Sequence, residues 1–229
     1  MNRHNRLRLT LAAGAGAAAL YGSYATLAWL RYGRSRKRAT ASLLDRYMPD
    51  PEVVEHERIR VNAPADIAYA ACRELDLMRS PAARLIFATR ARVLGDHPPV
   101  ERQQPFSLIE EVQGLGWRIF DEVPGREIVL GAACKPWQAD PQFRTIPTEQ
   151  FASFDEPGFA KIVWNFCVEP VSDQSCVVHT ETRVTTTDRD SRRRFRRYWS
   201  FLSPGIVLIR LLGLKIVKSD AEKEVRHEH

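Results

Sequence analysis

Residues 160–168 read AKIVWNFCV, and this stretch indicates the fold class. Every second residue from Ile162 to Val168 is large and apolar, whereas Lys161 and Asn165 lie on the opposite face of an extended chain. Alternation of this kind predicts a β-strand with one buried face. Such strands are typical of an antiparallel sheet that is covered on a single side.

Turn signals separate this strand from further strand-like segments. Ser172-Asp173-Gln174 predicts a hairpin loop, and Pro124-Gly125 predicts a turn between two earlier strands. The other predicted strands are Glu57–Val61, Trp117–Val123, Glu127–Cys134 and Val177–Thr186, with a short helical insert at Pro147–Phe154.

Two helices are predicted between the first two of these strands. The first follows Asn62-Ala63 and ends near Leu75, because Pro64 suits a first helical turn and Asp66 is favourable near the positive helix N-terminus. The second helix follows Ser80-Pro81.

A long helix is predicted at the C-terminal end, where Asp188 or Asp190 can cap its start. Its apolar stripe extends over roughly 30 residues at spacings of three and four. The stripe contains Phe195, Trp199, Leu202, Ile206, Ile209 and Ile216. Ser203-Pro204-Gly205 interrupts it and predicts a kink or a break. This helix is expected to cover the sheet, and the space between them suits an apolar ligand.

Four segments carry a resemblance to a known superfamily. In chain order they are RIRVNAPADIAYAAC, GWRIFDEVPGREIVLGAACKPW, TETRV and RRRFRRYWSFLSPGIVLIR. Together they resemble the START-like superfamily, also called SRPBCC, of polyketide cyclases, lipid-transfer domains and plant pollen allergens, and within it a bacterial branch. The resemblance extends from Val53 to Val217.

That resemblance implies an α+β helix-grip fold, in which a curved antiparallel sheet surrounds a long C-terminal helix and leaves a deep hydrophobic cavity. Members bind lipids, hormones or polyketides, and only some are enzymes. The resemblance therefore implies a class of ligand and not one activity.

The N-terminal region predicts a membrane anchor. Leu9 to Leu30 contains no charge, and at 1.5 Å per residue its 22 residues span roughly 33 Å, against a hydrocarbon core of about 30 Å. The aromatic residues toward its end would lie at the membrane interface. They are Tyr21, Tyr24, Trp29 and Tyr32.

Two alternatives for this region are a cleaved signal peptide and a dinucleotide fingerprint. Ser23-Tyr24-Ala25 fits a cleavage site, but the basic run that follows Leu30 favours an anchor that is retained. Gly14-Ala15-Gly16 with Ala19 fits G-x-G-x-x-A, but an acid is expected about twenty residues later, and the first acid is Asp45.

The charge distribution argues against a nucleic-acid partner. Residues 1–38 contain eight Lys and Arg and no acid, which leaves 26 Lys and Arg against 28 acids in the remainder. A nucleic-acid-binding domain would show the opposite distribution. Five of the eight basic residues follow the apolar segment, which places the domain in the cytoplasm of a single-pass membrane protein.

These observations predict four segments. They are a membrane anchor with basic flanks at residues 1–38, a juxtamembrane linker at 39–52, a START-like domain at 53–218 and a charged tail at 219–229.

The four cysteines predict no metal site. Cys72, Cys134, Cys167 and Cys176 form neither a CxxC pair nor a zinc-type spacing. They are expected to be partly buried thiols in a reducing compartment, with a Cys167–Cys176 disulfide as the alternative. No cofactor is predicted.

Eight residues are candidates for binding a hydrophobic molecule in the predicted cavity, and the alternative for each is plain core packing. The eight are Trp117, Trp137, Phe143, Trp164, Phe166, Phe195, Trp199 and Leu202.

Two sets of polar residues are further candidates for function. His179, Glu181 and Arg183 share one face of the last strand, where a cyclase could use a general base and an arginine. The alternative is that this face is solvated and that Val178, Thr180, Thr182 and Val184 point inward. Four arginines near the start of the long helix are candidates for contact with anionic lipid headgroups. They are Arg192, Arg193, Arg196 and Arg197. The alternatives are binding of RNA or DNA and a solvated face paired with Asp188, Asp190 and nearby acids.

The sequence therefore predicts a membrane-anchored binding protein for a lipid or an isoprenoid- or polyketide-like molecule. Two alternatives remain at this stage. One is a cyclase or dehydratase that uses cavity residues, and the other is an interaction protein that docks through its basic helix. The oligomeric state is not indicated.

Overall fold

Six β-strands form one antiparallel sheet in the computed structural model, which describes residues 21–30, 32–33, 42–95 and 106–227. The order across the sheet is β1-β6-β5-β3-β2, and β4 pairs with β3. The strands are β1 (Val53–Val61), β2 (Arg118–Val123), β3 (Glu127–Cys134), β4 (Phe143–Arg144), β5 (Ala160–Ser172) and β6 (Ser175–Thr186).

Five α-helices accompany the sheet within the described residues. They are α1 (residues 21–30), α2 (Ala65–Arg73), α3 (Pro81–Leu94), α4 (Leu108–Gly114) and α5 (Arg189–His227). The predicted helical insert is a short 3-10 turn at Thr148–Gln150, and α4 was not predicted. The α+β class, the antiparallel sheet and the long C-terminal helix are confirmed.

Both faces of the central strands are buried, which corrects the prediction of a single covered side. On the inner face, which packs against α2 and α5, Phe166 and Val168 are buried beside Leu214. On the outer face, Val163 is buried beside Leu44 and Phe151. The outer cover comes from irregular segments before β1 and after β4, which hydrophobic periodicity does not reveal.

Residues 42–52, predicted as part of a linker, pack on the outer face of the sheet. A 3-10 turn at Leu43–Arg46 begins with a capping box. The Ser42 side chain accepts a hydrogen bond from the backbone of the turn, and the Asp45 side chain accepts one from the backbone N–H of Ser42. Leu44 and Met48 are buried. The segment is therefore part of the domain.

Helix α5 runs without a break through Pro204. A proline inside a helix costs about 3 kcal/mol, but packing on both sides of Pro204 holds this helix together. Phe195 lies in one apolar cluster before it, and Val217 lies in another after it. The predicted charged tail is also helical as far as His227, with Ala221 buried.

Helix α1 covers the described part of the predicted anchor, and residues 9–20 of that prediction lie outside the described residues. The helix packs beside the first half of α5. The Tyr21 hydroxyl donates to the carbonyl of Phe201, and the Tyr24 and Ser203 hydroxyls are 3.1 Å apart. Among the described residues, α5 is the one helix whose length and composition would let it cross a membrane, a criterion that core helices also meet.

The start of α5 is fixed by Asp188, one of the two predicted caps. Its carboxylate accepts hydrogen bonds from the backbone N–H groups of Asp190 at 2.8 Å and Ser191 at 2.9 Å. It also accepts from the N–H of Gly158 at 2.5 Å, which joins the helix start to the loop before β5. The Ser191 hydroxyl and N–H hold the pKa of this carboxyl well below its usual range.

We expect Asp188→Ala to lower the free energy of unfolding by about 1–2 kcal/mol at neutral pH, because the helix loses its N-cap. A carboxyl with a depressed folded-state pKa stabilises the fold above its unfolded pKa, and this contribution disappears as pH falls. The difference in the free energy of unfolding between wild type and variant should thus persist at pH 7 and decrease only below about pH 4. Urea unfolding measures this, with Asp190→Ala as the matched control in the same turn. Equal losses in both variants would contradict the capping role of Asp188.

Candidate functional site

A cavity of about 290 Å³ lies between the inner face of the sheet and α5. Strands β5 and β6 form its floor, α5 forms one wall, and residues of α3 and α4 close it on other sides. It lies between two packed clusters, one around Leu214 and Val217 and the other around Phe195 and Trp199. Its lining is almost wholly apolar.

Aromatic side chains line both ends of the cavity. Trp164 makes edge-to-face contacts with Trp117 and Phe166, with ring centroids 6.3 and 5.2 Å apart. Toward the start of α5, Phe195 and Trp199 stack with centroids 5.8 Å apart. These five residues, all among the eight sequence candidates, line the cavity.

The other three candidates lie outside the cavity lining. Trp137 packs in the apolar cluster around Phe195. Phe143 lies on β4 against Gly116, so closely that a Cβ at Gly116 would be 2.8 Å from the Phe143 Cβ. Leu202 is not a lining residue, because the next residue of α5 after Trp199 that lines the cavity is Ile206. Periodicity shows which face of a helix or strand a residue lies on, but not whether that residue reaches the cavity. Spacing alone therefore could not separate these three residues from the five that line it.

Arg210 of α5 lines the cavity and is not among the eight candidates that the sequence predicts. Its Nη2 donates to the backbone carbonyl of Thr180 at 2.6 Å. Its Nε and Nη1 are buried and have no hydrogen-bond partner among the residues that the structure describes. Burial lowers the pKa of Arg210 to about 10, an effect that Glu55 and Glu57 oppose, so the guanidinium stays protonated at neutral pH. The sequence signal was a single charge within the apolar stretch from Ile206 to Leu214.

A second arginine, Arg90 of α3, also lines the cavity. Its Nη2 donates to the carbonyl of Pro136 at 3.3 Å. Burial raises the pKa of the neighbouring Tyr198, and Arg90 partly opposes that rise. Within the described lining there are thus two arginines and no carboxylate.

His179, Glu181 and Arg183 lie on the outer face of the sheet, on the opposite side from the cavity. The cavity is lined instead by the alternating inner residues of β6, which include Thr180 and Thr182. The predicted catalytic use of the trio within the cavity is therefore wrong, because successive residues of a strand point to opposite faces.

The expectation that this outer face is solvated is also wrong. Glu181 is 1% exposed and Arg183 is 3% exposed. The Nε of Arg183 donates to Glu181 at 2.7 Å, and its Nη1 donates to Asp45 at 2.6 Å and to the carbonyl of Met48 at 2.8 Å. Glu181 and Arg183 therefore hold residues 42–52 against the sheet. His179 lies beside Glu169, with 2.9 Å between Nε2 and the carboxylate.

The four arginines predicted to face a membrane have different surroundings. Arg196 donates to the carbonyl of Trp29 at 3.0 and 2.6 Å and lies over the Trp29 ring at 4.0 Å. Arg192 lies 3.6 Å from Glu52. Arg193 and Arg197 are exposed. Two of the four side chains are thus engaged with other parts of the chain.

None of the four cysteines, which all lie within the described residues, forms a disulfide. Burial raises the pKa of Cys134 to about 12 and raises that of Cys72 further, which argues against either acting as a thiolate nucleophile. Cys167 pairs with His179 across the sheet while Cys176 pairs with Pro170, so the alternative disulfide does not form. The described residues contain no group of His, Cys, Asp and Glu suited to a metal ion.

Comparison with known proteins gives structural likeness alone. No family model matches the chain. No curated protein matches it either. Solved structures that match include the Zhui aromatase/cyclase from Streptomyces sp. R1128, with 12% identity over 76% of this chain and 95% of that one, at a TM-score of 0.32.

Two other matching structures come from different bacteria. One is a Thermobifida fusca protein, 15% identical over 77% of this chain and 95% of that one, at a TM-score of 0.35. Another is the hypothetical protein jhp0584 from Helicobacter pylori, 7% identical over 82% and 98%, at 0.40. Because these scores are below 0.5, the architecture rests on this chain's own sheet and helices.

We expect Arg183→Leu to lower the free energy of unfolding by about 3–5 kcal/mol, because it leaves Glu181 buried without its cationic partner. Chemical denaturation measures the change. The matched control is Arg193→Leu, since that arginine is exposed, and its loss should cost no more than about 0.5 kcal/mol. An Arg183→Leu protein as stable as wild type would contradict the structural role of this ion pair.

Proposed function

We propose that this chain is a binding protein for a hydrophobic small molecule, which occupies the cavity between the sheet and α5. The observation that carries the proposal is the cavity itself. Protein interiors are normally close-packed, whereas this space of about 290 Å³ is lined almost wholly by apolar side chains. A concave and largely apolar space of this kind is the usual form of a small-molecule site, which supports an occupied cavity.

The element order supports a START-like architecture for this site. One strand, three helices where the sequence predicts two, further antiparallel strands and a long final helix follow each other, close to the order that the sequence resemblance implies. Members of that superfamily hold apolar ligands between the sheet and the final helix. The resemblance supports the class of ligand and leaves open the choice among lipid, isoprenoid and polyketide.

Neither of the two alternative functions gains support from the predicted residues. The trio proposed for a cyclase or dehydratase faces away from the cavity. In the basic region proposed for docking a partner, Arg192 and Arg196 contact Glu52 and Trp29. A binding role without catalysis by this trio is therefore our conclusion.

We further propose that residues 9–30 anchor the chain in a membrane, with the domain in the cytoplasm. The support lies in the uncharged sequence and in the exposed apolar side chains of α1, where Leu27 is 49% exposed and Leu30 is 53% exposed. Arg196 donates to the carbonyl of Trp29 in the last turn of α1. This contact would hold the domain close to the membrane surface.

The binding proposal predicts that Thr182→Phe empties the cavity. Thr182 lines the cavity from β6, so an aromatic ring there would occupy the space of the ligand. We expect an apolar molecule to be extracted in near-stoichiometric amount from the wild-type full chain and only in traces from the variant. Solvent extraction and mass spectrometry of protein purified from cells measure this.

The matched control for that experiment is Thr185→Phe. Thr185 pairs with Lys161 and faces the outer side of the same strand, so the substitution leaves the cavity unchanged. The extracted amount should equal that of wild type. A wild-type chain that is folded and free of any apolar molecule would contradict the proposed function.

The anchor proposal predicts that two charges placed within the apolar segment release the protein from the membrane. Ala19→Arg with Leu20→Arg should cost roughly 2.5–3.5 kcal/mol per residue at the bilayer centre. The fraction of full chain that remains in the membrane pellet after alkaline carbonate washing measures this. Ala19→Leu is the control and should remain in the pellet. Release of the wild-type chain by the same wash would refute the anchor.

A further inference from the structure

The guanidinium of Arg210 is the least satisfied polar group in the described lining of the cavity. It has one acceptor, the carbonyl of Thr180, while its Nε and Nη1 are buried without partners. A buried charged group that lacks hydrogen-bond partners is costly, and folded proteins normally supply them. The arrangement of Arg210 therefore indicates a missing acceptor.

The nearest acids do not supply that acceptor. Glu55 and Glu57 on β1 are close enough to affect the pKa of Arg210. Among the described residues, however, neither forms an ion pair or a hydrogen bond with it. Both lie outside the cavity lining. The acceptor can thus come from a molecule within the cavity.

The charge of the lining favours an anionic acceptor. The ionisable cations in it are Arg90 and Arg210, and the described lining contains no carboxylate. Charges in an apolar site interact far more strongly than in water. An acid that enters this cavity would meet two cations and could accept hydrogen bonds from the Arg210 donors that lack a partner among the described residues, whereas an apolar ligand without an acceptor could not.

The size of the cavity limits the ligand to one chain or one small ring system. At about 290 Å³ it lies near the lower end of small-molecule pockets, which begin at about 300 Å³. Along α5, Arg210 lies about 16 Å from Trp199, at 1.5 Å per residue. A molecule of that length can place its head at Arg210 and its tail among the aromatic rings.

We propose that the ligand is a compact single-chain amphiphile with a carboxylate head, which accepts hydrogen bonds from the free guanidinium donors of Arg210. Its apolar body lies against Trp117, Trp164 and Trp199. This inference rests on the proposed function and specifies the ligand class for the same cavity. A carboxylate fits because one guanidinium can bind it in a charge-assisted contact, whereas two acyl chains of a phospholipid exceed the available volume.

The test compares omega-bromoundecanoic acid with the alcohol of the same chain. Bromine quenches tryptophan fluorescence on contact, and three tryptophans line the cavity. The full chain is reconstituted in lipid nanodiscs, with empty discs to correct for partitioning into lipid. We expect the acid to bind roughly 10- to 100-fold more tightly than the alcohol, which is the range for a hydrogen bond to a charged group.

Arg210→Gln should reduce that preference to about twofold or less, because the charged donor is removed. The matched control is Lys215→Gln, which removes a charge from an exposed position of the same helix outside the cavity lining and should retain the full preference. Arg90→Gln removes the second cation of the lining and should lower the preference less than Arg210→Gln does, because the Arg90 Nη2 already donates to Pro136. Arg210→Lys is the second variant and keeps the charge, so it should retain part of the preference for the acid.

The outcomes separate this inference from the proposed function. If acid and alcohol quench equally in wild type, the carboxylate assignment is overturned while ligand binding stands. If Arg90→Gln abolishes the preference and Arg210→Gln leaves it intact, Arg210 is not the anchor. If neither molecule quenches the cavity tryptophans, both the inference and the proposed function fail. The comparison in wild type does not depend on any variant folding.

Discussion

The packing of α5 across the inner face of the sheet is the constraint on which the rest of the structure depends. The helix meets the sheet in two clusters, around Phe195 and Trp199 near its start and around Leu214 and Val217 near its end. Between them the contact opens, and the cavity lies there. Asp188 caps the start of the helix, and the two clusters hold the lining residues of α5 against the sheet.

Alternate residues of β6 point to opposite faces of the sheet, so they belong to two different sites. Its inner residues, such as Thr180 and Thr182, line the cavity. Its outer residues, such as Glu181 and Arg183, form a buried polar network with the segment before β1. A strand cannot present both sets to one side. For this reason the polar network stabilises the outer side of the sheet, and the apolar inner face lines the cavity.

Three arginines show how position decides what the same side chain does. Arg183 is buried and donates to Asp45 and to the carbonyl of Met48, so it holds a chain segment in place. Arg196 caps α1 at the carbonyl of Trp29 and links the proposed anchor to α5. Arg210 is half-buried beside an apolar cavity, and its buried Nε and Nη1 have no hydrogen-bond partner within the described part of the chain. In the proposed function, the anchor and the ligand site are thus connected through one helix.

The sequence by itself determined the class of fold and the inner face of the sheet. Alternation in β5 and the apolar stripe of α5 depend only on the repeat of each element, so they can be read from the chain. For the same reason Trp164 and Phe166 could be assigned to the side of the sheet that α5 covers. The uncharged segment from Leu9 to Leu30 is likewise a property of composition alone.

Only the tertiary structure decided which side chains meet. The burial of the outer face by residues 42–52, the position of the trio away from the cavity and the exclusion of Trp137 from the lining all depend on contacts between distant segments. Arg210 gave only a weak signal, because a charge in an apolar helix is equally compatible with solvent. Its significance comes from the absence of an acceptor around its buried nitrogens, and that is a property of the folded site.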